Sequence, residues 1–373
     1  MGKETWIWIK QAIKFNDLDP NTMSRYKCLI LGASGLVGQR LQQRLANHPM
    51  FEIGAVAGSQ ATLGKPLSSI PWRLDEARPT IESQTVLDAN SPNLAKQCQN
   101  LGITVAFSAL PTSVATVVEK QLTEAGIMVF SNASTYRRVT GIPMIIPEIN
   151  AQHYAESMHY CATNCTLIPL AIPLNQISKI TKINSVRMRS EQALSGAGWE
   201  LLTDPQALAG NVNPHIDGEA DKTAAELLHV MGEASLTNHL PADFPIDISC
   251  QRIARRDGHQ VFVDVQVEGE VLVTDIIKAF EASNEFQTLP SGPVKAIHVV
   301  KEIHPEKHLW SNGIEFDNNP NPTTDLKAGM AVVVGGIAVQ GNTISFTAFS
   351  HNTVRGAAGG VVYLAEFVLA NKS

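Results

Sequence analysis

Cysteine is scarce in this sequence, charge of one sign never accumulates, and no long apolar run occurs. Each shortage removes a class of protein. The five cysteines, Cys28, Cys98, Cys161, Cys165 and Cys250, are odd in number and scattered over 373 residues. That pattern does not fit a disulfide framework and points to a reducing, cytoplasmic compartment. Cys161 and Cys165 are near neighbours, but no second cysteine or histidine pair with metal-ligand spacing lies close in sequence, so no metal site is expected. No apolar stretch reaches the about 18 residues of a membrane span, so no membrane association is expected. The net charge is −6 and no long basic run is present, which leaves nucleic-acid binding without electrostatic support. Internal repeats and low-complexity tracts are also lacking.

What is present is a soluble, globular composition, 44% hydrophobic and 17% charged, on a chain long enough for two domains. The opening segment MGKETWIWIKQAIKFNDLDPNT stands apart. Its short apolar patch, Trp6 to Ile9, is flanked by charge and lacks the apolar core and cleavage site of a secretory signal. It reads either as an amphipathic extension or as sequence upstream of a start at Met23.

From Tyr26 the pattern becomes strand, glycine turn, helix, strand: YKCLIL, GASGLVGQR, QQRLANHP, then Phe51 to Val56. Strand-like runs Ile103–Ser108 and Ile127–Ser131 follow, with a helical segment Thr112–Ala125 between them. This alternation predicts a parallel sheet with crossover helices. After about residue 164 the segments Ile183–Ser190, Gln260–Val267, Met330–Gln340 and Thr343–Phe349 are β-rich. The helices Asp221–Gly232 and Val273–Ala282 separate some of them, which predicts a mixed or antiparallel sheet. Val354–Ala370 is apolar and helical in pattern and is expected to pack back on the first domain. The fold class is therefore α/β: a Rossmann-type dinucleotide-binding domain plus an α+β domain with a mixed sheet. The expected boundaries are an extension over residues 1–23, a cofactor domain of 24–163 plus 353–373, and a second domain of 164–352.

Gly32, Gly35 and Gly38 form G-x-x-G-x-x-G between a strand and a helix. Glycines there allow a tight turn and close approach of a pyrophosphate to free helix N–H groups, so the loop from Gly32 through Ser34, Leu36 and Val37 is expected to bind a dinucleotide. The second strand ends in Ala57-Gly58-Ser59-Gln60 with Lys65 beyond. No carboxylate stands in that stretch to repel a 2′-phosphate, and Ser59 and Lys65 could bind one, so NADP is expected over NAD. The alternative is that Lys65 is only a solvated loop charge.

Cys165 precedes an apolar helical segment in ATNCTLIPLAIPL, where the helix dipole would lower its pKa. Cysteine is also a common core residue, and this feature alone leaves both readings open. His259 follows an Asp257-Gly258 turn at the head of an alternating strand, where it can exchange a proton near neutral pH.

Taken together, these segments resemble the aspartate-semialdehyde dehydrogenase family, particularly its archaeal and fungal-like branch. The resemblance runs from about Tyr26 to the C-terminus. It is carried by GASGLVGQR, FSALP, SNAS, IPEIN, NCT, QALSGAG, GEADK, RIARRDGH and NTVRGAAGG in that order. The resemblance implies reversible conversion of L-aspartate 4-semialdehyde, NADP⁺ and phosphate to 4-phospho-L-aspartate and NADPH, in lysine, threonine and methionine biosynthesis. It implies that Cys165 forms a thioester, that His259 is the acid–base residue and that Gln192 orients the acyl group. Arg252 would grip the substrate carboxylate, Glu219 the ammonium, and Lys222 the phosphate. Arg137 or the adjacent Arg138 would complete the phosphate site. Ser108, Ala109, Leu110, Pro111 and Asn132 would line the cofactor junction, Asn352 would hold the nicotinamide amide, and Ser195 and Gly196 would close near the cofactor. A homodimer or homotetramer built through the β-rich domain is also implied.

Three segments depart from the family pattern. RIAR replaces the common RVPV before the histidine loop, NNPNPTTD lacks an expected arginine, and WELL follows SGAG where YPG is usual. The rival readings are a reductase of a CoA thioester such as malonyl-CoA, an N-acetyl-glutamyl-phosphate reductase, a cysteine hydrolase, and a non-catalytic dinucleotide binder. The NCT segment disfavours the second, the glycine loop disfavours the third, and the presence of both Cys165 and His259 disfavours the last.

Overall fold

The structure, a computed structural model, describes residues 25–372 apart from 235–238 and 284–285, so the N-terminal extension expected over 1–23 lies outside the described residues. Six strands, β1 (Tyr26–Leu31), β2 (Phe51–Gly58), β3 (Leu87–Asp88), β4 (Val105–Ser108), β5 (Met128–Ser131) and β6 (His159–Cys161), form a parallel sheet in the order β3-β2-β1-β4-β5-β6. Strands buried on both faces need continuous apolar sequence, and VAFS and MVFS are buried throughout. On one face Phe51, Phe107, Phe130 and Tyr160 run in contact, with neighbouring ring centroids 5.1, 5.9 and 5.5 Å apart. Helix Leu36–Leu45 and the C-terminal helix Gly359–Ala370 cover that face. Helices Leu94–Asn100 and Thr112–Glu124 cover the other.

After β6 the helix Leu167–Ser178 crosses to a second layer. There β7 (Ile183–Gln192), β10 (Ile246–Arg252), β11 (His259–Val267), β12 (Ile297–Val299), β13 (Val332–Gln340) and β14 (Thr343–Ser350) form a mixed sheet, ordered β10-β7-β11-β14-β13-β12. A small ribbon of β8 (Glu233–Ala234) and β9 (His239–Leu240) lies apart from it. Along β11 alternate residues are buried, Val261, Val263, Val265 and Val267 facing the core. One face of this sheet therefore packs against Leu167–Ser178, which is apolar all round, and the other carries polar side chains.

The parallel and mixed sheets and the returning C-terminal helix match the sequence expectation. One detail differs. Val354–Ala358 is not ordinary α-helix but a π-turn, and the α-helix begins only at Gly359. Periodicity over so short a stretch does not separate the two.

Candidate active site

The glycine loop has the form its sequence suggests. Gly32 has φ +76°, and a Cβ there would lie 2.6 Å from the Ala109 carbonyl oxygen, while a Cβ on Gly38 would strike the Gly32 carbonyl. Any side chain would fill this cradle, and the first-turn N–H groups of helix Leu36–Leu45 open onto it. The structure thus fits a dinucleotide pyrophosphate on its own geometry. Ser108 ends β4 with its hydroxyl buried, Leu110 is buried on one face of the sheet, and Val37 packs on the core of the other. Pro111 precedes helix Thr112–Glu124, and the carbonyl of Ser108 receives the Asn132 backbone N–H. The Trp199 indole N–H donates to the Ser34 carbonyl at 3.3 Å, and Leu36 packs with Leu194, Leu202 and Ala207. The divergent WELL segment therefore lies against the glycine loop.

The ribose end is less simple than the sequence suggested. Lys65 is turned onto its own loop, donating to the Ala61 carbonyl at 2.8 Å, and Ser59 is exposed in the same turn. A carboxylate does stand nearby: Asp88 pairs in register with Gly58 from β3 and accepts from Gln60 Nε2 at 2.7 Å. Reading β2 alone misses it, because it arrives from a different strand.

Cys165 sits just before helix Leu167–Ser178, partly exposed, among groups that converge on Glu219. Glu219 is buried and accepts from Asn164 Nδ2 at 2.8 Å, Thr166 Oγ1 at 3.2 Å, Gln192 Nε2 at 3.3 Å and Lys222 Nζ at 3.3 Å. Burial works to raise its carboxyl, but the bonds from Asn164, Lys222 and Gln192 outweigh it and hold the group below the usual carboxylate range. Asn164 and Thr166 were not singled out in the sequence. Their signal was their position either side of Cys165, where short polar side chains reach back to the chain. The Glu219–Lys222 pair is the one the helical spacing predicts.

The expected effect of the helix N-terminus on Cys165 is overturned. Burial, and then the Glu219 carboxylate, push the Cys165 thiol up to about 11, against the opposing pull of Arg137 and Arg252. In the free protein, alkylation of Cys165 by iodoacetamide should therefore keep accelerating as pH rises toward about 11. A rate that levels off below neutrality would contradict this.

His259 is fully buried and shares its surroundings with the thiol, since Arg252 and Glu219 act electrostatically on both. The Ala193 N–H donates to His259 Nδ1 at 3.1 Å. That bond assigns the neutral ring its hydrogen on Nε2, which has no partner among the described residues. Burial, reinforced by Arg252, lowers its pKa to about 3. The ring is thus a neutral hydrogen-bond donor at neutral pH. Gly196 leaves the space in front of it: a Cβ there would lie 2.7 Å from Arg252 Nη1 and 3.1 Å from His259 Nε2. Arg252 is buried, donates through Nη1 to the Ala193 carbonyl at 2.8 Å, and makes no ion pair among the described residues. Asn352 is engaged at both ends, accepting from the Gly258 N–H and donating to Ser195 Oγ, each at 2.8 Å. It ties the histidine loop to the 194–197 turn.

Of the two adjacent arginines, Arg137 faces inward. It binds Glu226 at 2.9 Å and the Asn132 carbonyl at 2.7 Å and acts on Cys165, whereas Arg138 occupies a left-handed backbone position, φ 65°. Glu226, unmarked in the sequence, also receives the Asn164 N–H at 2.7 Å. The two arginines of the divergent segment are paired with carboxylates, although Arg255 also acts electrostatically on His259. Arg255 pairs with Glu191 at 3.2 Å and lies over Phe349, and Arg256 reaches Asp75 at 3.2 Å. The NNPNPTTD loop closes on the far end of the glycine-loop helix, where Arg44 donates to the carbonyls of Asp325, Leu326 and Ala328.

Away from this cluster, His153, His229 and His239 bring one ring nitrogen each within 4.8 Å of one another. They come from three different elements, which no spacing rule in the sequence could show. The rings of His229 and His239 are stacked, 3.6 Å between centroids at 6°, and His153 Nε2 is bonded to the Gly232 carbonyl at 3.0 Å. A metal ion lies in the plane of each imidazole whose lone pair it takes, so two parallel stacked rings do not converge on one ion. As folded, the cluster is a ring stack.

The two layers correspond to two family models. Residues 27–157 match the semialdehyde dehydrogenase NAD-binding domain and residues 173–355 the semialdehyde dehydrogenase dimerisation domain. An aspartate-semialdehyde dehydrogenase of Archaeoglobus fulgidus is 33% identical over 93% of this chain and 99% of its own length. A malonyl CoA reductase (NADP) of Metallosphaera sedula is 31% identical over 92% and 96%. The crystal structure of aspartate-semialdehyde dehydrogenase with NADP from Candida albicans superposes with a TM-score of 0.77 at 27% identity, covering 94% of this chain and 99% of that one. With both halves matched and archaeal and fungal relatives aligned along nearly their whole length, this chain belongs to the semialdehyde dehydrogenase family.

Proposed function

We propose that the protein is an aspartate-semialdehyde dehydrogenase, reducing 4-phospho-L-aspartate to L-aspartate 4-semialdehyde and phosphate with NADPH, in lysine, threonine and methionine biosynthesis. The observation that carries this is the pairing of a buried guanidinium, Arg252, that has no carboxylate partner among the described residues, with a buried, ionised Glu219 beside the same thiol. A cation and an anion at one thiol suit a substrate that bears both charges. Malonyl-CoA offers a carboxylate to Arg252 but no ammonium to Glu219, so Glu219 is the residue that separates the two readings.

In this reading the Cys165 sulfur attacks the acyl carbon, the acyl phosphate bond breaks, and the thiol proton leaves with the phosphate. Lys222 and Arg137 hold that phosphate. Bound along Gly32–Gly38, NADPH supplies the hydride that reduces the thioester. His259 Nε2–H donates to the acyl oxygen as negative charge builds on it, a contact worth more in a desolvated site than in water. Gln192, fixed on Glu219, orients the same group. The carbon–sulfur bond then breaks, the aldehyde departs, and Cys165 regains a proton. Asn352 and Ser195 hold the turn beside the cofactor.

NADP as cofactor draws support from the NADP-bound Candida albicans structure and from the absence of an acidic residue within Ala57–Lys65. Residues 24–163 with 353–373 would form the cofactor domain and 164–352 the catalytic domain. The polar face of the mixed sheet, with Arg187, Arg189, Asp247 and Asp264 exposed, would join two copies into a homodimer, or pairs of them into a homotetramer. The cytoplasm would be its compartment.

Phosphate-dependent reduction of NADP⁺ by aspartate semialdehyde tests the reading. Turnover there and none with malonyl-CoA is expected; the reverse would sink it. Arg252→Lys should lower kcat/KM for the semialdehyde by roughly 100-fold, since an ammonium cannot reproduce a two-pronged contact with a carboxylate. Unchanged kinetics would remove Arg252 from the site.

A further inference from the structure

Gly356 stands where no side chain fits. A Cβ built on it would lie 2.6 Å from Cys165 Cβ and 2.9 Å from Cys165 Cα. Those atoms are main chain or joined directly to it, so they cannot swing aside as the tip of a long side chain can. The backbone does not ask for glycine, because Gly356 is not among the positive-φ residues. Inside a helical turn alanine is the more favourable residue. What excludes a side chain here is Cys165 itself.

The π-turn explains how the contact arises and why neither side can recoil. The Gly356 N–H donates to the His351 carbonyl and the Ala358 N–H to the Thr353 carbonyl, each at 3.1 Å and each reaching back five residues. This wider turn is held on both sides. Upstream, Asn352 binds Gly258 and Ser195. Beside Gly356, buried Arg355 donates to both oxygens of Glu148 at 2.8 Å and lies 5.2 Å over the Tyr363 ring. The turn leads directly into the helix that covers the parallel sheet, whereas Cys165 opens the helix that covers the mixed one. Local π-turns of this kind are frequent at functional sites.

We propose that Gly356 is a positioning residue, its bare backbone acting as a stop against Cys165 Cβ so that the C-terminal segment sets the direction of the thiol. This rests on Cys165 as the nucleophile. The test separates the contact from the chemistry by moving one Cβ across it. Gly356→Ala should lower Tm by about 4 °C, the cost of overpacking a rigid contact. The double variant Cys165→Gly/Gly356→Ala, which relocates that Cβ instead of adding one, should melt higher than Gly356→Ala alone. Strictly additive effects of the two substitutions would overturn the proposal, and this comparison remains readable if Gly356→Ala is too unstable to assay.

In kinetics, Gly356→Ala should cut kcat about 100-fold, as expected for a nucleophile displaced by a fraction of a bond length or more, with KM for NADPH unchanged. The rate of Cys165 alkylation by iodoacetamide should change with it. Ala357→Ser, in the same turn and partly exposed, should leave all three at wild-type values. Equal losses in Gly356→Ala and Ala357→Ser would show a general disturbance of the turn and refute the positioning role. Absence of dehydrogenase activity in the wild type, with the melting recovery and the alkylation change still seen in the variants, would instead count against the reading of the reaction.

Discussion

Cys165→Ala should abolish turnover by at least ~10⁴-fold while NADP still binds, the scale on which removal of a covalent nucleophile is felt. The two halves of that result have separate structural grounds. The sulfur is the nucleophile in the proposed route, and the polar nest around it, Asn164, Thr166, Gln192 and Lys222, is assembled on Glu219 rather than on the thiol. Replacing the side chain should therefore leave the nest standing. The glycine loop makes its own cradle from Gly32, Gly38 and Ala109 and does not depend on Cys165. Fluorescence titration with NADPH and a turnover assay on one preparation check both halves. Acyl transfer or turnover persisting in the variant would remove Cys165 from the chemistry, and loss of NADPH binding would show that the thiol supports the fold of the cofactor site.

His259→Ala should lower kcat by about 10³-fold, and His259→Gln by distinctly less, because glutamine still offers an N–H where the ring offered Nε2–H. A residue acting chiefly by carrying a proton would predict equal losses, since an amide has no basic nitrogen. The ring geometry favours the first outcome. The Ala193 N–H occupies Nδ1 at 3.1 Å, which leaves the neutral ring one donor and no open acceptor. The same burial makes a stability prediction with a definite sign. Desolvation, with Arg252, lowers His259 in the folded chain to about 3 from 6.5. Between those values an unfolded chain takes up a proton that the folded chain refuses, so folding loses stability as pH falls from about 6.5 toward 3. Above that window this residue adds no pH dependence. Thermal melts of the wild type and His259→Gln across the window measure the difference, and a glutamine variant whose melting point falls just as steeply would assign the effect elsewhere.

Local pattern carried the fold to within a few residues for most elements. The glycine loop, the alternating β11 and the continuous apolar β4 and β5 each have one period and one burial requirement, and these are legible in a single sequence. The site was legible only where residues lie close along the chain. Glu219 and Lys222 share a helix face, and Cys165 precedes a helix. Hidden were the pairs brought together from afar: Arg137 with Glu226, Arg355 with Glu148, and Asp88 with the end of β2. The thiol's pKa was misjudged for the same reason. A helix end is visible in sequence, but the burial that raises the thiol, and the Glu219 carboxylate that adds to it from another helix, are not. The side chains added by the RIAR departure, Arg255 and Arg256, find partners in Glu191 and Asp75, while their backbone carbonyls hold the turn at Leu194 and Ser195 and Arg255 adds to the positive field on His259.

The returning C-terminal helix also sets an order of events during synthesis. Val361, Val362, Tyr363, Leu364 and Phe367 belong to the same buried cluster as Ile30, Phe107 and Phe130, so one face of the first sheet is completed by residues made only after the whole second domain. A ribosome-bound chain that has already produced the glycine loop still exposes that face until the second domain has been translated and the Gly359–Ala370 helix has emerged. The cofactor half thus closes only after the second domain has been made, and its apolar strand surface is open to misassociation for that interval.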